Sequence, residues 1–194
     1  MNYLFRTTLI ACLLTCSALS MSEQSQPNPE QAQRQKVYLE HLQYEYRNRE
    51  HTYLGMRKAA KLSAKSDRGS FYQAYYELEL VNQDIYGAMK SKLGVDYRPN
   101  WFTRTGLNIF AHLSWRFVSA QQLEDIIVPY IPKLKEMEAL SSPEHKPFFY
   151  YVVLQEQAQL EASRAALQSD WESGARILRE FVEKYRGLNP NTLI

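Results

Sequence analysis

Residues 147–185, PFFYYVVLQEQAQLEASRAALQSDWESGARILREFVEKY, hold one glycine and no proline after the first position, and they carry an apolar stripe along most of their length. Tyr151, Leu154, Ala158, Ala162 and Ala165 recur at steps of three and four, which places them on one side of an α-helix with small residues at its centre. Trp171, Ala175, Leu178, Val182 and Tyr185 repeat the spacing beyond a break at Ser169. Ser169 and Glu172 stand in S-x-x-E spacing, so the hydroxyl can cap an amide of the new helix while the carboxylate reaches back. One straight helix here would be about 60 Å long, which a small domain seldom supports, and a helical hairpin hinged at Ser169 is the favoured reading.

Composition agrees with helices throughout. The chain has 194 residues, 45% of them apolar, with seven glycines and eight prolines, and its β-branched runs fall inside helical patterns. That leaves no segment for a sheet and predicts an all-α fold in one domain. A net charge of +2 gives no basic excess to attract nucleic acid, so no nucleic-acid partner is expected.

Residues 1–20 read as a secretory signal peptide: Arg6, an apolar stretch through Leu9, Ile10, Leu13 and Leu14, then small residues. Two cleavage readings compete. Ala18-Leu19-Ser20 suits an ordinary signal peptidase and a mature chain from Met21. Leu13-Leu14-Thr15-Cys16 resembles a bacterial lipobox, which implies lipidation at Cys16, with Thr15 departing from the usual small residue. Either way the expected location is outside the cytoplasm, in the periplasm or as an outer-membrane lipoprotein, with a membrane contact only through Cys16. Both cysteines, Cys12 and Cys16, lie in this leader, so a folded domain without it has neither a disulfide nor a thiolate site. Residues 21–35, rich in Glu, Gln, Ser, Asn and Pro, read as a disordered linker.

The folded domain is expected over 36–190. A first helix from Pro29 or Gln31 to Lys65 carries the seam Leu39, Leu42, Tyr46, Arg49, Tyr53, Met56 and Ala60. Arg49 is the odd member. Its head either reaches solvent or a carboxylate over a packed stem, or it is a buried cation for an anionic ligand. A turn at 66–70 precedes a second helix, capped by Ser70, with the stripe Phe71, Ala74, Leu78, Val81, Ile85 and Ala88 and a stop at Gly94. The third helix, Trp101 to Phe117 behind the cap Asn100, is aromatic and basic with no acid. Its apolar residues fall on two faces, one with Phe102, Ile109, Leu113 and Phe117 and one with Trp101, Asn108, His112 and Trp115, and so predict burial on both sides. Ser119 and Gln122 form a capping box for a fourth helix that Pro129 and Pro132 kink or divide. The sum is an irregular bundle of about five to six helices in antiparallel pairs, or the start of a helix-pair solenoid.

Catalytic and metal signatures are missing. A dimetal helical bundle needs Glu-x-x-His, but Tyr38, Asn48, Ile109 and Ser142 stand three before the four histidines. His41 and Glu45 share a helix face and read as solvated surface. No nucleophile elbow, phosphate loop or haem-attachment motif occurs. No catalytic residue, metal ligand or cofactor is therefore assigned. The candidate binding residues are Arg98, Trp101 and Arg104, where arginines alternate with aromatics, together with His112, Trp115 and Arg49.

The segment Asp170-Trp171-Glu172-Ser173-Gly174-Ala175, followed by Phe181, Tyr185 and Pro190, resembles the second helix of the tetratricopeptide-type pairs of bacterial envelope assembly proteins. Ala158, Ala162 and Ala165 would belong to the first helix of the pair. The resemblance covers about a fifth of the chain and implies a protein-binding concavity. The expected function is a non-enzymatic helical interaction module, an adaptor, assembly factor or immunity-type inhibitor, acting on another envelope protein. The alternative is a helical bundle that binds a small molecule or metal in its core.

Overall fold

The computed structural model describes residues 28–193. The expected signal peptide, Cys16 and residues 21–27 of the linker lie outside the described residues. Those described form seven α-helices and a final 3-10 turn: α1 Pro29–Ser63, α2 Gly69–Lys90, α3 Trp101–Ser114, α4 Ala120–Ile127, α5 Ile131–Leu140, α6 Lys146–Gln168 and α7 Trp171–Tyr185, then Pro190–Leu193. They make a helical bundle without strands. Its first helix is capped by Asn28, which accepts from the Glu30 amide at 3.2 Å. Residues 29–35 are therefore helical, which agrees with a helix start at Pro29 and not with a linker that runs to residue 35, although their side chains remain exposed.

Local chemistry sets most of the boundaries. Gly94 takes a φ of 66°, the left-handed stop that follows α2 and its last turn. Asn100 caps α3 by accepting from the Thr103 amide at 2.9 Å. Ser119 and Gln122 satisfy each other's backbone amides at the start of α4. Pro129 and Pro132 divide the expected fourth helix into α4 and α5. Three expectations need correction. The cap position of α2 is Arg68, not Ser70, and no side chain bonds there. The expected break falls between α6 and α7, and the two helices pack on each other, but the cap of α7 is Asp170, which accepts from the Ser173 amide at 2.7 Å. Ser169 is the last cap of α6, and its amide, which Glu172 would have met, already donates to the Ala165 carbonyl, so Glu172 accepts instead from Arg179. Finally, α3 ends at Ser114, three residues early. The Tyr72 hydroxyl and the Arg68 guanidinium donate to the carbonyls of Trp115, Arg116 and Val118 and take over the role of the next helical turn.

The core is nearly continuous. Helix α2 packs between α1 and α7, and α6 packs against α7, α4 and α5. Helix α6 is buried on most sides over its first half, from Phe148 and Phe149 through Tyr151, Val152 and Val153. The small residues read from the sequence act where α6, α7 and α2 meet. A Cβ on Gly174 would stand 2.5 Å from the Ala162 carbonyl oxygen and 3.0 Å from the Phe71 ring. Because the nearest obstacle is backbone, it cannot yield by a rotamer change. Gly174→Ala is expected to lower stability by about 1–3 kcal/mol in urea denaturation, despite the better helix propensity of alanine.

Candidate functional site

The seam of α1 passes Glu45 and Arg49, one helical turn apart, straight into the interior. Arg49 is 3% exposed, and its guanidinium meets carboxylates from three helices. Nη1 donates to Glu79 Oε1 of α2 at 2.9 Å and to Gln155 Oε1 of α6 at 3.1 Å, and Nη2 donates to Glu156 of α6. Nε lies 3.2 Å from Glu45 Oε1, close enough for an ion pair but without the angle of a hydrogen bond.

A second layer of polar side chains holds these carboxylates. Glu45 accepts from the Tyr86 and Tyr130 hydroxyls, one to each oxygen. Gln155 accepts also from Asn82 at 3.3 Å and from Gln159; Tyr75 donates to Gln159, and Tyr151 donates to Asn82 at 2.6 Å. Three carboxylates share one guanidinium in a region closed to water. Burial pushes the Glu156 carboxyl up to about 7 and the Glu79 carboxyl up to about 6, against the opposing pull of Arg49. Burial by itself would lower Arg49, but Glu79, Glu156 and Glu45 outweigh it and hold the guanidinium charged.

A cavity of about 330 Å³ opens beside this cluster. Arg49, Glu156 and Gln159 form its polar end. Met56 and Ala59 of α1, Leu123 and Ile127 of α4, and Phe110, Ala111 and Trp115 on the α3 side supply apolar walls. Tyr72, Tyr75 and Tyr130 add aromatic faces. No group of three or more His, Cys, Asp or Glu side chains among the described residues has metal-holding geometry.

The candidate residues from the sequence do not gather in one place. Arg49 and Trp115 line this cavity. Arg49 is buried as one reading held, but its donors already face carboxylates, so an anion would meet Glu45, Glu79 and Glu156 rather than a free cation. Trp101, Arg98 and Arg104 are exposed near the start of α3; Arg98 lies 3.8 Å from Asp96, and Arg104 donates to the Pro99 carbonyl at 3.2 Å. His112 is exposed and borders a shallow groove with Lys58.

Two further expectations fail here. Glu45 is fully buried rather than solvated, because the hydroxyls of Tyr86 and Tyr130 replace water on it. Helix α3 is not buried on both sides. Leu107, Ala111 and Trp115 turn inward, while Phe102 is 77% and Phe117 78% exposed, and Ile109 and Leu113 face outward with them. The carboxylates were missed, yet the sequence carries a signal for them. Tyr75, Glu79, Asn82 and Tyr86 on α2, and Val152, Glu156, Gln159 and Ser163 on α6, are polar and apolar members of single buried stripes at helical spacing.

Comparison with known proteins adds no relative: no family model matches the chain, and no curated protein or solved structure matches it. The site therefore has to be read from its own chemistry.

Glu79 and Glu156 hold protons more tightly in the folded chain than in the unfolded one, so folding takes up protons between about pH 4.3 and pH 7. The stability they contribute is full below the ordinary carboxylate range and is lost as pH rises through about 6 and then about 7. Urea denaturation is expected to show a loss on the order of 2–4 kcal/mol between pH 4.5 and pH 8 from these groups, and Glu156→Gln is expected to flatten the upper part of that fall. Arg49→Met, which leaves three carboxylates without their cation, is expected to cost about 3–5 kcal/mol at pH 8 and distinctly less at pH 5.

Proposed function

We propose that the protein is an exported, non-enzymatic helical module that acts on another protein of the bacterial envelope through the outward face of α3. The observation that carries this reading is the exposure of Phe102, Ile109 and Leu113 on one side of α3, continued by Phe117 in the turn after it, with Ile126 and Val128 of the α4 segment also exposed. Single exposed apolar residues need no explanation, whereas a row of large ones along a helix marks a surface that another molecule covers. Arg98, Arg104 and Arg116 flank the row, and residues 98–117 contain no acid, so a partner patch of aliphatic side chains bordered by carboxylates would complement it. Export rests on the leader, whose two readings differ in whether Cys16 carries a lipid.

A photoreactive amino acid at Phe117 is expected to crosslink to one protein of discrete mass in intact envelopes, while the same residue at Tyr150, exposed on α6, gives no such product. Changing Ile109 and Leu113 together to Ser should remove the product and leave stability within about 0.5 kcal/mol per site, since both side chains are already in water. Crosslinks to lipid alone, or a product that survives the double change, would refute the reading. Incorporation of labelled palmitate into the wild type but not into Cys16→Ser would choose the anchored form of the chain over the soluble one.

A further inference from the structure

The cavity under α3 presents an uneven charge at its polar end. Arg49 is the cation there, and it is shared among Glu45, Glu79 and Glu156, with Glu156 itself forming part of the cavity wall. His51, the other basic group on the wall, is bound through Nε2 to the Tyr97 hydroxyl at 2.7 Å. Its pKa is lowered, first by burial and then by Arg47, so it adds no second positive charge at neutral pH. Arg49 Nη1 and Nη2 already donate to Glu79, Gln155 and Glu156, while the Gln159 amide donates to Gln155 and accepts from Tyr75. An incoming carboxylate or phosphate would find Glu156 on the wall and Glu45 beside Arg49 Nε, the one guanidinium nitrogen without a hydrogen bond, so that negative charge faces it at the polar end.

The rest of the wall favours the opposite sign. Trp115, Phe110, Tyr72, Tyr75 and Tyr130 line the space with aromatic rings, a type of wall that attracts cations, as the Arg116 guanidinium 5.1 Å over the Trp115 ring shows, while Met56 and Leu123 accommodate an apolar body. A volume of about 330 Å³ lies at the small end of the range for ligand cavities. We infer that this cavity binds a small organic cation, an ammonium group on an aromatic or aliphatic body, with its charge toward Glu156 and its body between α1, α3 and α4. The ammonium supplies the positive charge that one guanidinium does not provide for three carboxylates.

Gly55 gives a clean test. It lies on the cavity wall inside α1, and a Cβ at its position would meet nothing within 4 Å. The Cβ of a larger residue finds open space there and alanine-like helix propensity replaces that of glycine, so Gly55→Leu is expected to raise the thermal midpoint while its side chain takes the ligand's space. Calorimetric titration of the full chain with 2-phenylethylamine, 2-phenylethanol and 3-phenylpropionate, which share one body, separates charge from shape. The ammonium compound is expected to bind at least tenfold more tightly than the alcohol, with no heat from the carboxylate. Gly55→Leu should abolish its binding, and Glu156→Gln should bring the ammonium compound down to the alcohol. Equal affinity for amine and alcohol, preference for the carboxylate, undiminished binding by Gly55→Leu, or no binding of the amine at millimolar concentration would each overturn the inference. None of these outcomes bears on the outward face of α3, because Gly55 lies beneath the helix and the crosslinking position lies outside it.

Discussion

Three helices share the guanidinium of Arg49. Glu45 and Arg49 bring α1 to it, Glu79 brings α2 and Glu156 brings α6. Removing such groups from water is costly, and their mutual attraction offsets the cost only where nearly every donor and acceptor is matched. Here Tyr75, Tyr86, Tyr130, Tyr151, Asn82, Gln155 and Gln159 form the matching layer. Helix α6 approaches α7, α4 and α5 with its backbone, but it meets α1 and α2 through these long side chains. The polar layer is thus a spacer. It sets how far α6 stands from α1, and the cavity opens beside it where α4 and α3 do not fill the remaining width.

Three defects remain in the matching. Arg49 Nε, Glu79 Oε2 and Gln155 Nε2 are buried without a hydrogen-bond partner. The last two belong to the side chains that meet Arg49 Nη1, so the layer is least satisfied around the guanidinium itself. A proton on Glu79 or Glu156 lessens the negative charge there, which is the physical content of their raised pKa values. The interior therefore couples packing to protonation: the same cluster that orders three helices also takes up protons when they assemble.

What could be read from the sequence follows the range of each interaction. Asn100, the Ser119–Gln122 box, the two prolines and the α6–α7 hinge act within four residues, and each stands where the sequence put it. The resemblance of the last helix pair to a tetratricopeptide pair rested partly on Gly174, and its small size is required by the Ala162 carbonyl and the Phe71 ring. Interactions that cross the chain were hidden. Glu45 stands one turn before Arg49, but the partners Glu79 and Glu156 lie 30 and 107 residues away, so the sequence could mark Arg49 as anomalous within its seam but could not pair it with them. Burial of Glu45 likewise depends on Tyr130, 85 residues on. The error at Ser169 was local, a competition between two adjacent caps that the closing turn of α6 decides.

Helix α3 shows why two apolar faces do not imply two buried ones. Among its described side chains only Ala111 is buried, and its close backbone contact is with α1. Polar ties hold its flanks: Lys90 and His51 reach Tyr97 before it, and Arg68 and Tyr72 hold the carbonyls that follow it. A helix fastened at both ends need not gain its stability from burial along its length. It can keep Leu107, Ala111 and Trp115 over the cavity while leaving Phe102, Ile109 and Leu113 in water, because neither face has to contribute what a core helix contributes. Fastening the ends with side chains from α1 and α2 rather than packing the middle is thus what lets one short helix present two different surfaces, one to a cavity and one outward.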